Sequence, residues 1–258
     1  MGAIVDMKNG DIWLVFFGGD APDGWALQRL SQDVPRAGGV ICADGGAAHA
    51  LALGILPGIT SGEDPMPKEN KNPDLISNLK SQISNLRLQS SPLVVGDGDS
   101  LDPKLAKQLQ QLGVHFRYYD PKKDFSDGEA ALDAAIEMGA KEVYVYGALG
   151  GRIDHALANI FLLRRFSPLL DRLMIVGADC ELFLCRSHEK IKGQAGDIIS
   201  LLPISQTVKK IYLEGFSYPL KNEDLTTGSS RGLSNILKGE QGSINKKSGE
   251  LLIIHYKQ

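Results

Sequence analysis

The segment Leu93-Val94-Val95-Gly96-Asp97-Gly98-Asp99-Ser100 joins an apolar run to two carboxylates one residue apart. On extended backbone, side chains i and i+2 share a face, which directs Asp97 and Asp99 into the same space. Two anions held that close repel unless a cation or a proton lies between them. The flanking glycines leave the backbone open to a ligand. The pattern points to a metal-bound, phosphate-handling site.

A second acidic segment, Lys122-Lys123-Asp124-Phe125-Ser126-Asp127, also follows a strand-like run. Each acid alone has a structural explanation. Asp127 suits a first helical turn, Asp124 a loop, and Asp97 with Asp99 a tight turn. Four carboxylates at successive strand ends are better explained together, as groups converging above one sheet. An all-oxygen set without a nearby His or Cys cluster selects a hard cation. Mg²⁺ fits, because it shares its remaining positions with water and phosphate oxygens; Ca²⁺ explains less in the absence of an EF-hand loop.

Gly147-Ala148-Leu149-Gly150-Gly151-Arg152-Ile153-Asp154-His155 places a glycine-rich turn between a strand and a helix. Such a turn presents backbone N–H groups to an anion, and Arg152 can neutralise phosphate charge through two parallel hydrogen bonds. It is neither a Walker A loop nor a complete G-x-G-x-x-G, so alone it signals nucleotide binding weakly. Asp154 also reads as a helix N-cap and His155 as a helix-terminal residue. A tight turn explains Asp44-Gly45-Gly46 about as well as ligand binding does.

The elements that must carry these residues alternate. Apolar strand-like runs at Ile12–Phe17, Gly39–Cys42, Leu93–Val95, Val114–Tyr119 and Glu142–Tyr146 all end in Gly, Asp or both. Continuous apolar strands alternating with helices indicate a parallel α/β sheet covered on both faces, with its ligand crevice beyond the carboxyl ends of the strands. Helices are expected from Gly46 to Leu53, over 103–112, and after the capping box Ser126-Asp127-Gly128-Glu129, stopping near Gly139. The helix Ala156–Phe166 is apolar nearly all round and is expected to be buried. Thr60–Ser91, rich in Pro, Asn, Lys, Ser and Gln, reads as an insertion between sheet elements. Beyond about Cys185 the segments become short, β-rich and punctuated by glycine, at Asp197–Leu202, Val208–Leu213, Gly232–Leu237, Gly242–Asn245 and Leu251–Tyr256, which predicts an all-β sandwich. The fold class is therefore α/β plus all-β: an α/β domain over 1–184, with 60–91 inserted, followed by a smaller β-sandwich over 185–258.

At 258 residues, 43% hydrophobic and 23% charged, the chain can bury a substantial core. A formal net charge of −3 provides no Lys/Arg excess for coating nucleic acid. Cys42, Cys180 and Cys185 form neither a disulfide framework nor a zinc pattern. No stretch is long enough to span a membrane, and Asp6 stands where a myristoylation signal wants Ser or Thr. A soluble, cytoplasmic protein without nucleic-acid or membrane partners is expected.

Ala43-Asp44-Gly45-Gly46-Ala47, Gly96–Ser100, Lys123–Asp127 with Glu129, Gly147–Asn159, and Tyr218-Pro219-Leu220 with Gly228 and Gly232-Leu233-Ser234-Asn235 resemble the thiamine pyrophosphokinase family in order and spacing. The resemblance covers nearly the whole chain outside Thr60–Ser91. It implies a Rossmann-like domain followed by a β-sandwich, and a homodimer with the active site at its interface. ATP and Mg²⁺ are implied as co-substrate and cofactor. Asp97, Asp99 and Asp127 become the catalytic and metal-binding residues. Asp44, Gly45, Gly46, Lys123, Asp124, Gly150, Arg152 and Asp154 fall to ATP, and Tyr218, Ser234 and Asn235 to thiamine. Gly98 departs from the family pattern, which has an aromatic between the two aspartates.

The reaction so implied is attack of the thiamine hydroxyethyl oxygen on the β-phosphorus of ATP, giving thiamine diphosphate and AMP. Rival readings are the same transfer to another alcohol such as a hydroxymethylpterin, a D-x-D nucleotide-sugar transferase, and a non-catalytic thiamine or nucleotide binder.

Overall fold

A computed structural model describes residues 12–57 and 88–257, together with 79, 81 and 83. Most of the Thr60–Ser91 insertion therefore lies outside the described residues. The chain divides into two compact units, Met1–Ala178 and Asp179–Gln258.

In the first unit, strands β1 (Ile12–Phe16), β2 (Ala37–Ala43), β3 (Leu93–Gly96), β4 (His115–Tyr118), β5 (Glu142–Tyr146) and β6 (Arg172–Val176) pair in parallel. Their order is β6-β5-β1-β2-β3-β4. Every residue of β1, β2 and β3 is buried, as strands covered on both faces require. After β4 the chain returns to the far side of β1, so the topology reverses between β1 and β5. The crevice outside the carboxyl ends of those two strands is where such sheets bind ligands.

The helices start where local chemistry allows. Helix α1 spans Gly24–Asp33 and the short α2 spans Gly46–Ala52. Helix α3 (Pro103–Gln111) has Pro103 in its first turn, and Asp102 accepts hydrogen bonds from the Lys104 and Leu105 amides. Helix α4 (Asp127–Glu137) begins at Ser126, whose side chain accepts from the Glu129 amide. At the end of α1, the buried Asp33 accepts from Arg29 Nε and from the Tyr146 hydroxyl, each at 2.9 Å, tying the helix to β5.

Helix α5 (Ile153–Phe166) corrects an expectation. Its apolar circumference predicts burial, yet within this chain only Leu163 and Phe166 are buried, while Ile153, Leu157 and Phe161 are 77%, 51% and 55% exposed. One flank packs on β6 and α4, and among the described residues no element covers the other apolar flank.

The second unit contains antiparallel strands in two groups. One has the order β12 (Asn235–Ile236), β9 (Ile198–Pro203), β14 (Leu251–Tyr256), β7 (Cys180–Leu184). The other has the order β11 (Lys221–Thr226), β10 (Thr207–Glu214), β13 (Gln241–Asn245), β8 (His188–Lys192). Cys180–Leu184, placed by sequence before the 184/185 divide, pairs with β14 inside this unit. Strand β8 alternates strictly between exposed and buried, as a sheet wetted on one face requires. A strand expected over Gly232–Leu237 reduces to two residues. Ser234 has a positive φ of 56°, and the Gly232 backbone closes against Leu201, leaving no extended run.

Candidate active site

Strand ends build the site. The β2–β3 register sets Ala43 opposite Val95, so the turn after β2 and the turn after β3 emerge side by side. The Asp44 amide donates to the Val95 carbonyl at 2.7 Å, fixing Asp44 beside the Asp97-Gly98-Asp99 turn. Carboxylate oxygens of Asp44, Asp97 and Asp99 all lie within 4.8 Å of one another. Sequence reasoning paired Asp97 with Asp99 but gave Asp44 no part in the metal set.

Asp44 is held in an unusual state. Its φ of 40° is in the left-handed region, where a residue other than glycine is strained. It is 7% exposed, and its Oδ1 is buried with no hydrogen-bond partner. Burial raises its pKa most; the Ser100 hydroxyl, whose one proton Asp44 shares with Asp99, opposes this, and repulsion from Asp127, Asp99 and Asp97 raises it further. A buried, unpartnered carboxylate oxygen facing two more carboxylates is poorly stable on its own and fits a hard cation.

Lys123 sits among these acids. Its Nζ lies 2.9 Å from Asp127 Oδ1 and 3.9 Å from Asp97 Oδ2. Burial lowers its pKa, but Asp127, Asp97 and Asp44 outweigh that and raise it overall. Asp127 thus faces the same cleft with its carboxylate on the lysine. Ser100 Oγ donates to Asp99 Oδ1 at 3.1 Å, and the Asp99 amide to Asp97 Oδ1 at 3.2 Å, which orients the pair.

These residues line an open cleft of about 560 Å³ that extends to the β1–β5 switch point. Its far wall consists of Gly18 and Gly19 after β1, and Ala148, Gly150, Gly151, Arg152, His155 and Asn159 after β5. Gly150, at φ 85°, has no room for a side chain, since a Cβ there would meet the Asp20 carboxylate. Asn159 Nδ2 donates to the Ala148 carbonyl at 2.8 Å and His49 Nε2 lies 2.8 Å from the Gly19 carbonyl, so both brace the loops. Neither bracing residue was singled out by sequence, because each acts on backbone reached only through the fold. At the other side, Gly46 lets α2 begin against β1, its missing Cβ standing where the Phe16 carbonyl lies.

Two expected nucleotide residues are placed differently. Asp124 is exposed and does not line the cleft. Asp154 also lies off the cleft and pairs with Arg152, whose Nη2 is 2.6 Å from Asp154 Oδ2. That pair is exposed, so solvent screens it, and Arg152 keeps its edge on the cleft wall.

In the second unit, Tyr218 is 63% exposed, whereas Asn235 is 5% exposed. Asn235 Oδ1 accepts the Tyr218 and Ile236 amides at 3.0 and 2.9 Å, and its Nδ2 donates to the Tyr218 carbonyl at 2.7 Å. The Ser234 amide donates to Ser200 Oγ at 3.1 Å. These contacts bring Tyr218, Ser234 and Asn235 together as one local cluster.

A parallel α/β unit with clustered carboxylates, a lysine and a glycine-rich loop at its switch point defines a phosphate-transferring enzyme class. Comparison with known proteins narrows this. The model for "Thiamin pyrophosphokinase, catalytic domain" matches residues 32–175, and that for "Thiamin pyrophosphokinase, vitamin B1 binding domain" matches 188–251. The chain belongs to the thiamine pyrophosphokinase family, whose members are ATP:thiamine diphosphotransferases. Thiamine pyrophosphokinase of Bacillus subtilis is 29% identical over 161 residues, covering 62% of this chain and 75% of that protein. Thiamine pyrophosphokinase 1 of Oryza sativa subsp. japonica is 27% identical, over 89% of this chain and 86% of its own length. The crystal structure of the Bacillus subtilis enzyme shares the fold with a TM-score of 0.71 at 23% identity, over 96% of this chain and 99% of that one. Yeast thiamin pyrophosphokinase gives 0.67 at 14% identity, over 98% and 88%.

Proposed function

We propose that this chain transfers the pyrophosphoryl group of ATP to the hydroxyethyl oxygen of thiamine, releasing AMP, with Mg²⁺ as cofactor and as a cytoplasmic homodimer. The observation that carries the reading is the convergence of Asp44, Asp97 and Asp99 with Lys123 and Asp127 in one cleft that runs to the switch-point glycines.

Asp97 and Asp99 would hold Mg²⁺, with Asp44 at the same point and Asp127 close by. When bound, the ion neutralises phosphate charge and polarises the phosphorus under attack. The chain's own groups do the rest. Lys123 offsets charge on the phosphates, and Arg152 does so from the opposite wall as the leaving AMP departs. Backbone N–H groups around Gly150 and Gly151 receive phosphate oxygens, and Gly45 and Gly46 keep the β2 end open to the nucleotide. An aspartate in the cleft accepts the alcohol proton. The reaction needs positioning more than covalent help from the protein. On the thiamine side, the exposed Tyr218 ring offers a stacking face, with Ser234 and Asn235 beside it.

The homodimer is supported by α5. Ile153, Leu157 and Phe161 lie along one exposed face of this helix, an apolar stripe that a second copy would cover. Cys42, Cys180 and Cys185 are buried and in no disulfide, which suits a reducing compartment.

Chromatography of the nucleotide formed from ATP, Mg²⁺ and thiamine tests the reading. AMP is expected. A nucleoside diphosphate product would instead indicate the sugar-transferase chemistry of other D-x-D proteins. Thiamine binding without turnover would indicate a binder.

A further inference from the structure

In the Asp97-Gly98-Asp99 turn the two carboxylates flank a residue with no side chain, and an aromatic ring of the neighbouring strand occupies the space beside it. Gly98 has φ 81°, a conformation that disfavours any side chain there. A Cβ placed on it would lie 2.8 Å from Tyr118 Cε1 and 3.2 Å from Tyr118 Cδ1. The space a side chain at 98 would enter is therefore taken by the Tyr118 ring.

Tyr118 is held there from two directions. The β3–β4 register sets Gly96 opposite Tyr118, and the Tyr119 amide donates to the Gly96 carbonyl at 2.9 Å, at the point where the turn begins. Its ring stacks on Phe116, with centroids 5.7 Å apart and an interplanar angle of 23°. Phe116, Tyr118, Leu101, Gly96, Gly98 and Asp44 together line a small hollow behind the turn. Tyr118 is nonetheless 55% exposed, so burial in a core does not account for the placement of this aromatic.

We propose that Tyr118 is the positioning residue of the metal turn: its ring, lying against Gly98, keeps Asp97 and Asp99 turned toward Asp44. The inference rests on the reading of that cluster as a cation site. It gives a role to the departure at position 98, where the anchoring aromatic comes from the next strand rather than from within the turn. The ring, not the hydroxyl, makes the contact. Removing it frees the turn to sample conformations in which the carboxylates diverge, and cation affinity falls. Supporting groups of this kind typically change metal affinity about 10- to 100-fold.

The test is Mn²⁺ binding to the full chain, read from the loss of the free-ion electron paramagnetic resonance signal. Wild type, Tyr118→Ala, Tyr118→Phe and Asp99→Asn are compared, with metal-free melting curves alongside. Tyr118→Ala is expected to weaken Mn²⁺ about 10-fold or more. Tyr118→Phe should bind as wild type, and the metal-free melting temperature of Tyr118→Ala should stay within about 2 °C of wild type, as for a surface change. Gly98→Ala should weaken binding as well, because its Cβ displaces the ring. If wild type binds Mn²⁺ and Asp99→Asn abolishes it while Tyr118→Ala binds unchanged, the positioning role is wrong and the metal site stands. If wild type binds no Mn²⁺, the cation site itself fails and the role of Tyr118 falls with it. Loss of binding in Tyr118→Phe equal to that in Tyr118→Ala would overturn the assignment to the ring.

Discussion

Asn235 clamps the backbone of Tyr218, accepting its N–H at 3.0 Å and donating to its carbonyl at 2.7 Å. Of the three residues that sequence groups as thiamine ligands, two thus play different parts. The Tyr218 ring is exposed, and the buried Asn235 amide holds the backbone that carries it. Removing the amide leaves part-buried backbone groups of Tyr218 and Ile236 unpaired, a cost of about 1 kcal/mol. Asn235→Ala is expected to raise the KM for thiamine about 10-fold while the KM for ATP stays within about 2-fold, which steady-state kinetics with each substrate varied will read. Equal effects on both substrates would contradict a local role.

Lys123 is the cation already present among the carboxylates, 2.9 Å from Asp127 and 3.9 Å from Asp97. Lys123→Met keeps the stem and removes the charge. Loss of an electrostatic group that acts on transferring phosphates lowers kcat about 10²- to 10³-fold. Single-turnover rates at saturating ATP should show that loss with the melting temperature little changed. A normal kcat would mean that the lysine only balances resident carboxylates.

A pH prediction follows from the second unit. The buried His255 lies between Glu181, 3.0 Å from Nδ1, and Asp197, 2.7 Å from Nε2, while Lys257 Nζ is 3.0 Å from Glu181. Burial alone would raise the Glu181 pKa, but the His255 hydrogen bond and the Lys257 charge outweigh it and hold it at about 2, against 4.5 ordinarily. A carboxyl depressed in the folded state stabilises it above the unfolded pKa, and that stability is lost as pH falls toward the folded pKa. Urea midpoints should therefore fall between pH 4.5 and about 2, and Glu181→Gln should flatten that dependence while lowering stability at neutral pH. A wild-type slope unchanged in the variant would assign the acid sensitivity elsewhere.

The exposed flank of α5 gives an oligomer prediction. Leu157→Glu and Phe161→Glu alter residues that are 51% and 55% exposed within one chain, so each is readily accommodated by the isolated protomer. Sedimentation equilibrium should show a wild-type dimer and a folded, monomeric variant of low activity. A monomeric wild type with full turnover would remove the dimer from the account.

The parallel sheet was legible because strands buried on both faces read as unbroken apolar runs, and Glu142–Tyr146 falls where sequence puts it; in the antiparallel second unit Leu251–Tyr256 does the same. Strands β8 and β11 were missed because polar alternation with lysines resembles a loop. The burial of α5 was misjudged for a physical reason: an apolar circumference states a need for cover, not its source. The convergence of Asp97, Asp99, Lys123 and Asp127 was legible because both segments follow neighbouring strands of one parallel sheet. The place of Asp44 among them depends on the β2–β3 register and on a strained φ, neither of which is written locally in Ala43-Asp44-Gly45.

The central claim is pyrophosphoryl transfer to thiamine from this carboxylate cleft. Its most direct measurement is the amount of thiamine diphosphate and of AMP formed from ATP, Mg²⁺ and thiamine, in parallel with a hydroxymethylpterin acceptor and with Asp99→Asn. Wild type should form equimolar thiamine diphosphate and AMP, no pterin product should appear, and Asp99→Asn should lose about 10²-fold or more of the activity. Absence of thiamine diphosphate from active, folded protein, or full activity in Asp99→Asn, would contradict the central claim.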